Sequence, residues 1–262
     1  MSTDPRATPE VTPSRLEEAM ATGRGLPLDG CVYGPPHWKG TFVDEAAPYY
    51  PFLAGFVRTF GVSRIMELGT HYGGSTLAMH VGLRPELASG ARIVTVDVTR
   101  LNEEGLRRPG ISRLTGDSLA PDIVAAAMRA FDGHIDVLYV DTVHTYRQTL
   151  ENVAVYANRL KPRFIILDDI RLNPGMCALW EHLVSLHGDG TFDLSTLVER
   201  ESAGFGLIAC RYPFAWPEAA HAQREALRVA WSVRRAVSAR TPEPLKVGFR
   251  RAMARMLAPR RS

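Results

Sequence analysis

Cysteine is scarce in this chain of 262 residues, which carries only Cys31, Cys177 and Cys210. Three scattered cysteines are too few for a disulfide framework or a cysteine-rich zinc site. The polar, proline-rich start MSTDPRATPEVTPSR lacks the apolar stretch of a secretory signal. No apolar run reaches the roughly 18 residues that a membrane helix needs. These absences predict a cytoplasmic protein.

Excess positive charge is also absent from most of the chain. Residues 217–262 hold eleven Lys and Arg against three Asp and Glu, a net charge of +8, so residues 1–216 carry −5 of the overall +3. We expect this basic segment to be a solvated tail, with an anionic membrane surface as an alternative partner. A nucleic acid partner is not expected, because the tail offers a single Trp231 and no known binding motif. A homo-oligomer is expected.

Strand-like runs alternate with helical windows from residue 64 onward, and this alternation predicts a mostly parallel sheet. A short link between the last two runs predicts an antiparallel pair at the sheet edge. The fold class is therefore α/β, a Rossmann-like seven-stranded sheet with helices on both faces and a C-terminal antiparallel hairpin. The predicted strands are 64–68, 92–97, 111–116, 135–141, 164–169, 192–199 and 204–212, and the helical windows are 14–23, 47–60, 75–83, 99–107, 119–131, 145–160 and 176–188.

The same pattern divides the chain into three parts. Residues 1–60 are predicted to be a helical and irregular cap, residues 61–213 the sheet domain, and residues 214–262 the basic helical extension. We expect a lid formed by residues 1–60 and by the loop RLNPGMCALW after Asp169.

The turn after the first strand, MELGTHYGGST, lacks the G-x-G-x-x-G spacing of a dinucleotide site, so NAD and FAD are disfavoured. Its pattern E-x-G-x-x-x-G-x-S resembles the first motif of class I S-adenosylmethionine (SAM) methyltransferases. The alternative is a glycine-rich turn with no ligand. The resemblance implies that this turn binds the amino-acid end of SAM through Glu67, Gly69, Thr70, Tyr72, Gly73 and Ser75.

Two further strand ends extend the resemblance. Asp97 ends the second strand, where an acid is suited to hydrogen bonds with ribose hydroxyls, and the family uses it so. Asp117 and Ser118 follow the third strand, at a position that flanks the adenine in this family. Helix capping is the alternative role for all three residues.

The fourth and fifth predicted strands end in acids: Asp141 ends the fourth, and Asp168 and Asp169 end the fifth. In the family's strand order these ends are neighbours, so the three carboxylates would converge and raise one another's pKa. Arg171 is the only basic residue close to either motif in the sequence, and a hard divalent cation is the better compensation. Oxygen ligands without cysteine favour Mg²⁺ or Mn²⁺. The alternative is that each Asp caps the following helix.

The motif D-x-x-H-x-Y (Asp141, His144, Tyr146) and the stretch LKPRFIILDDI resemble a metal-dependent branch of the SAM methyltransferases. That branch includes macrolide-sugar O-methyltransferases, rhamnosyl O-methyltransferases and proteins named cephalosporin hydroxylases. The resemblance covers about residues 60–212. Many members have a glycine directly after the first acid, and K-P-G-G before the fifth strand. Here Thr142–Val143 and Lys161–Pro162–Arg163 stand at those places.

The resemblance implies an O-methyltransferase that uses SAM and Mg²⁺ (or Mn²⁺), with a sugar hydroxyl of a natural product or glycolipid as the leading acceptor. His144, with Asp141, is the predicted catalytic pair, because an imidazole can take the proton of the acceptor hydroxyl. His71 is the alternative base. A catechol-type acceptor, a hydroxylase of the cephalosporin type and a SAM-binding protein without activity remain the alternative functions.

Overall fold

The computed structural model describes residues 10–34 and 45–214, so most of the predicted basic extension lies outside the described residues. The strands are β1 (Arg64–Leu68), β2 (Arg92–Asp97), β3 (Ile111–Thr115), β4 (Val137–Val140), β5 (Phe164–Asp168), β6 (Thr191–Asp193) and β7 (Phe205–Ala209). The helices are α1 (Pro13–Arg24), α2 (Tyr50–Phe60), α3 (Gly74–Gly82), α4 (Pro85–Ala88), α5 (Pro121–Ala130), α6 (Tyr146–Leu160) and α7 (Pro174–His187), and a short 3-10 helix spans Gly188–Gly190.

The seven strands form one sheet in the order β3-β2-β1-β4-β5-β7-β6. Strands β1 to β5 are parallel, while β7 is antiparallel to both β5 and β6. The strand order reverses between β1 and β4, which is where ligands bind in open α/β sheets. The predicted fold class, with neighbouring fourth and fifth strands, is therefore confirmed.

The central strands are buried on both faces, as expected for parallel strands covered by helices. Alternate side chains belong to two separate cores. Tyr139 and Phe164 pack with α1, α2 and part of α3 on one face, and Leu138 and Ile165 pack with α5, α6 and α7 on the other. Among the described residues, no helix is long and apolar enough to cross a membrane.

Side-chain caps fix where the two site-forming helices begin. The Thr145 hydroxyl accepts the Gln148 N–H at the start of α6, 3.3 Å away. The Asn173 side chain accepts the N–H groups of Gly175 and Met176 at the start of α7. The acids that end β4 and β5 are therefore not the caps of the helices that follow them, and capping does not explain their presence.

One predicted helix is absent and one predicted strand is shorter than expected. The window 99–107 is not helical, because Asn102 has a left-handed φ of 49° and its side chain accepts the Gly105 N–H, which makes a turn. The predicted strand 192–199 ends at Asp193, whose carboxylate accepts the N–H and hydroxyl of Ser195. A longer loop, residues 194–204, therefore connects β6 and β7.

Candidate active site

The glycine turn after β1 lies against the end of β4. Gly69 has a φ of 97°, and a Cβ at this position would overlap the carbonyl oxygen of Asp141. Gly73 has a φ of 85°, and a Cβ there would collide with the Leu106 side chain. Contacts within the protein therefore require both glycines, in addition to any role in ligand binding. The close approach brings the predicted cofactor turn beside the first acid.

Glu67 lies beneath the turn and is 0% exposed. The hydroxyl groups of Ser75 and Thr76 donate hydrogen bonds to its two carboxylate oxygens. Burial raises the pKa of Glu67 to about 7 although these hydrogen bonds oppose the shift. Glu67 and Ser75 therefore bond to each other in this structure, and Glu67 anchors the start of α3.

Asp97 links the end of β2 to the glycine turn. Its Oδ2 accepts the His71 N–H at 2.7 Å, and its Oδ1 accepts the N–H and hydroxyl of Thr99. Burial alone would raise its pKa, but these hydrogen bonds and the charge of Arg113 lower it, so the carboxylate is ionised. Each carboxylate oxygen has two lone pairs, so Oδ2 keeps the capacity to accept one ligand hydroxyl.

The remaining predicted cofactor residues have varied surroundings. The Thr70 hydroxyl is buried and bonds to Thr95 at 2.6 Å. The Ser118 hydroxyl is also buried and donates to Asn152 at 2.8 Å. Asp117 is exposed and accepts the Leu119 N–H. Tyr72 lines a cavity of about 420 Å³ together with Asp29, Cys31, Leu77, His80, Asn102 and Arg108.

The acids at the ends of β4 and β5 converge, as predicted. His144 Nε2 lies 3.2 Å from Asp141 Oδ1 and 3.4 Å from Asp169 Oδ2, so one imidazole joins the ends of the two strands. Asp169 has a left-handed φ of 57°, a conformation that is uncommon for a residue with a side chain. The backbone of His144 is held by the Asn173 side chain, whose Nδ2 donates to the His144 carbonyl at 2.8 Å.

Arg200, from the loop between β6 and β7, completes this group of side chains. Its Nη2 donates to both oxygens of Asp168 at 3.2 Å and also to Asp169 Oδ1. We call the set of Asp141, His144, Asp168, Asp169 and Arg200 the acid cluster. Arg171, the base that the sequence places nearest, pairs with Asp193 instead. The expectation that Arg171 is the only nearby base was therefore wrong.

The sheet register explains the position of Arg200. Phe205, the first residue of antiparallel β7, pairs with Asp168, the last residue of β5. The residues just before β7 must therefore lie at the edge of the sheet where β5 ends. The sequence predicts an antiparallel pair of the last two strands but not the pairing of β7 with β5, so it gives no signal for Arg200.

Burial and like charge dominate the electrostatics of the acid cluster. Burial and the neighbouring charge of Asp141 raise the pKa of Asp168, although the Arg200 guanidinium opposes the shift. Burial also raises the pKa of Asp169, against the charges of His144 and Arg200. Burial alone would lower the pKa of His144, but its bond to Asp141 and the two nearby carboxylates raise it. The carboxylates thus require positive charge nearby.

The predicted metal ligands suit a hard cation in their chemistry, because three carboxylates supply only oxygen donors. Within residues 10–34 and 45–214, however, no three His, Cys, Asp or Glu side chains are grouped as metal ligands. In this structure Asp168 and Asp169 bond to Arg200, and Asp141 bonds to His144. A metal at Asp141, Asp168 and Asp169 therefore requires Arg200 to leave the carboxylates.

Comparisons with known proteins place this site in context. A family model described as a methyltransferase domain matches residues 66–170. No curated protein sequence matches the chain. The O-methyltransferase TomG from Streptomyces achromogenes, involved in tomaymycin synthesis and solved with SAM, is similar in structure with a TM-score of 0.50. The two chains are 18% identical, and the match covers 77% of this chain and 92% of TomG.

Two other solved structures are similar. The O-methyltransferase from Bacillus cereus in complex with SAH has a TM-score of 0.49 at 18% identity, covering 76% of this chain and 92% of its own. The MycE methyltransferase from the mycinamycin biosynthetic pathway, solved with Mg, SAH and mycinamycin VI, has a TM-score of 0.47 at 16% identity. The match covers 69% of this chain and 52% of MycE. The family match therefore covers residues 66–170, which run from β1 to the residues that follow β5.

Proposed function

We propose that this protein is a SAM-dependent O-methyltransferase that methylates a hydroxyl group of a small polyhydroxylated acceptor, with a sugar as the leading class. The observation that carries the proposal is the position of His144, which bridges Asp141 and Asp169 beside the glycine turn. The family match to residues 66–170 supports methyl transfer. The motif of Asp141, His144 and Tyr146 supports the sugar acceptor, through its resemblance to sugar O-methyltransferases.

The proposed role of His144 is to take the proton of the acceptor hydroxyl. An imidazole that donates from Nε2 to the carboxylates keeps its lone pair on Nδ1, which is then the nitrogen that accepts a proton. Asp141 and Asp169 hold the ring and stabilise the imidazolium that results. As the acceptor oxygen forms its bond to the methyl carbon, the bond from that carbon to sulfur breaks and the hydroxyl proton passes to His144.

The bound groups supply what the side chains lack. SAM, bound by the glycine turn and Asp97, supplies a methyl group on a positively charged sulfur. A divalent cation such as Mg²⁺, held by Asp141, Asp168 and Asp169, would lower the pKa of the acceptor hydroxyl. Burial and the nearby acids raise the pKa values of Tyr33, Tyr49 and Tyr50, which supports a position for these rings near the acceptor.

The test is transfer of a tritium-labelled methyl group from SAM to a panel of free sugars, glycosylated natural products and catechols. We expect labelled sugar products, and we expect His144→Ala to lower turnover by about 10²–10⁴-fold, as for loss of a general base. His134→Ala is the matched control, since His134 lies outside the cluster and its described hydrogen bond is to the Asp132 backbone.

Each outcome has a separate meaning. Labelling of catechols alone overturns the sugar acceptor but keeps methyl transfer. Full activity in EDTA removes the divalent cation from the proposal. A change of less than about threefold in His144→Ala means that His144 is not the base. SAM binding without any labelled product favours a protein that binds SAM without activity.

A further inference from the structure

Arg200 is a buried cation in contact with two carboxylates. Its side chain is 15% exposed, and its Nη2 bonds to Asp168 and Asp169. The Cζ atom lies 5.0 Å from the centroid of the Tyr49 ring, within the range of a cation–π contact. The guanidinium therefore supplies positive charge at the oxygen atoms that the acid pattern assigns to a metal.

The guanidinium is bound in an incomplete way. All of its described bonds to the carboxylates come from Nη2, whereas arginine frequently binds a carboxylate through two nitrogens. Its Nε is buried and has no hydrogen-bond partner among the described residues. An unsatisfied buried donor costs free energy, so this arrangement is weaker than a bidentate pair.

The backbone of Arg200 is held independently of its side chain. The Arg200 N–H donates to the Ser195 carbonyl at 2.7 Å, and the Arg200 carbonyl accepts the Gly204 N–H at 2.6 Å. The side chain reaches the carboxylates by its own rotatable bonds. A rotamer change can therefore remove the guanidinium from Asp168 and Asp169 without rearrangement of the loop.

We propose that Arg200 is the resident cation of the acid cluster and that it competes with a divalent cation for the oxygens of Asp168 and Asp169. The guanidinium neutralises the carboxylates in the metal-free protein and moves aside when a metal binds. The competition sets a weaker metal affinity than three carboxylates alone would give. This inference rests on the divalent cation of the proposed function, but its test uses neither SAM nor an acceptor.

The test is binding of Mn²⁺ to the full chain, measured by isothermal titration calorimetry and by electron paramagnetic resonance. Arg200→Met removes the charge but keeps an unbranched side chain that can pack on Tyr49. We expect it to bind Mn²⁺ about tenfold or more tightly than the wild type, since the competing charge is gone. Arg200→Lys keeps the charge and is expected to stay within about threefold of the wild type.

Equal or weaker binding of Mn²⁺ by Arg200→Met overturns the proposal, as does the absence of binding in both proteins. Arg200→Gln replaces the methionine variant if that variant does not fold. If neither variant folds, crystal structures of the wild type with and without Mn²⁺ decide the question.

Displacement of Arg200 by bound Mn²⁺ in these structures supports the proposal. Bound Mn²⁺ with Arg200 still on Asp168 and Asp169 contradicts it, and so does a failure to bind at millimolar Mn²⁺. If the Mn²⁺ experiments show the competition but the wild type transfers no methyl group, only the proposed function is overturned.

Discussion

Single residues at the edge of the sheet combine burial with charge, and their positions differ in how far the sequence reveals them. Asp141, Asp168 and Asp169 come together because each lies at or directly after the end of a strand, and His144 joins them from the short loop between β4 and α6. Arg200 could not be found in this way. It lies in a loop distant along the chain, and only the pairing of β7 with β5 brings it to the acids.

Glu67→Gln tests the energetic cost of the buried acid under the glycine turn. The pKa of Glu67 rises from 4.5 to about 7 in the folded protein, so the folded state binds this proton more tightly than the unfolded state. Wild-type stability therefore falls as the pH rises from 4.5 to about 7, by about 3 kcal/mol for this group. The glutamine variant lacks this loss.

We expect the stability of Glu67→Gln relative to the wild type to increase by about 2–3 kcal/mol between pH 5 and pH 8. Stability here is the free energy of unfolding. Urea unfolding at the two pH values measures it. Glu104→Gln is the control, because Glu104 is exposed and should show no such difference. The same relative stability at both pH values would rule out a buried, proton-binding Glu67.

At the scale of elements, β1 and β2 have the bounds that the sequence predicts, because β1 is followed by a glycine turn and β2 ends in an acid. The helix predicted at 99–107 fails because the turn chemistry of Asn102 overrides a pattern with weak apolar periodicity. Helix α1 packs against α2 at very short range. A Cβ on Gly55 would overlap the Ala19 carbonyl, and one on Gly23 would overlap that of Pro51.

Gly55→Ala should therefore force α1 and α2 apart, since the overlapping atoms belong to the backbone and cannot rotate away. We expect a loss of about 1–3 kcal/mol or more in the free energy of unfolding, as for overpacked cores. Thermal and urea unfolding measure the change. Gly90→Ala is the matched control, because the nearest atom to a Cβ there is 4.0 Å away. Equal stability of the two variants would mean that the helices are not in backbone contact.

For the whole molecule, the order of the strands explains why residues distant in the sequence form one site. Parallel strands β1, β2, β4 and β5 all end at the same edge of the sheet. Their direction alone therefore puts the glycine turn, Asp97 and the acids at that edge. The acceptor class does not follow from the fold. The loops that would contact an acceptor vary independently of the sheet, and Thr142 and Val143 depart from the pattern of the sugar O-methyltransferases that this chain resembles.

The most direct test of the central claim is binding of SAM to the full chain by isothermal titration calorimetry. We predict one SAM bound per chain, and we predict that Asp97→Ala weakens binding by about tenfold or more, since it removes a charged acceptor of hydrogen bonds. The exposed Asp189→Ala should leave the affinity unchanged. Absence of SAM binding by the wild type, or equal affinity in Asp97→Ala, would contradict the account.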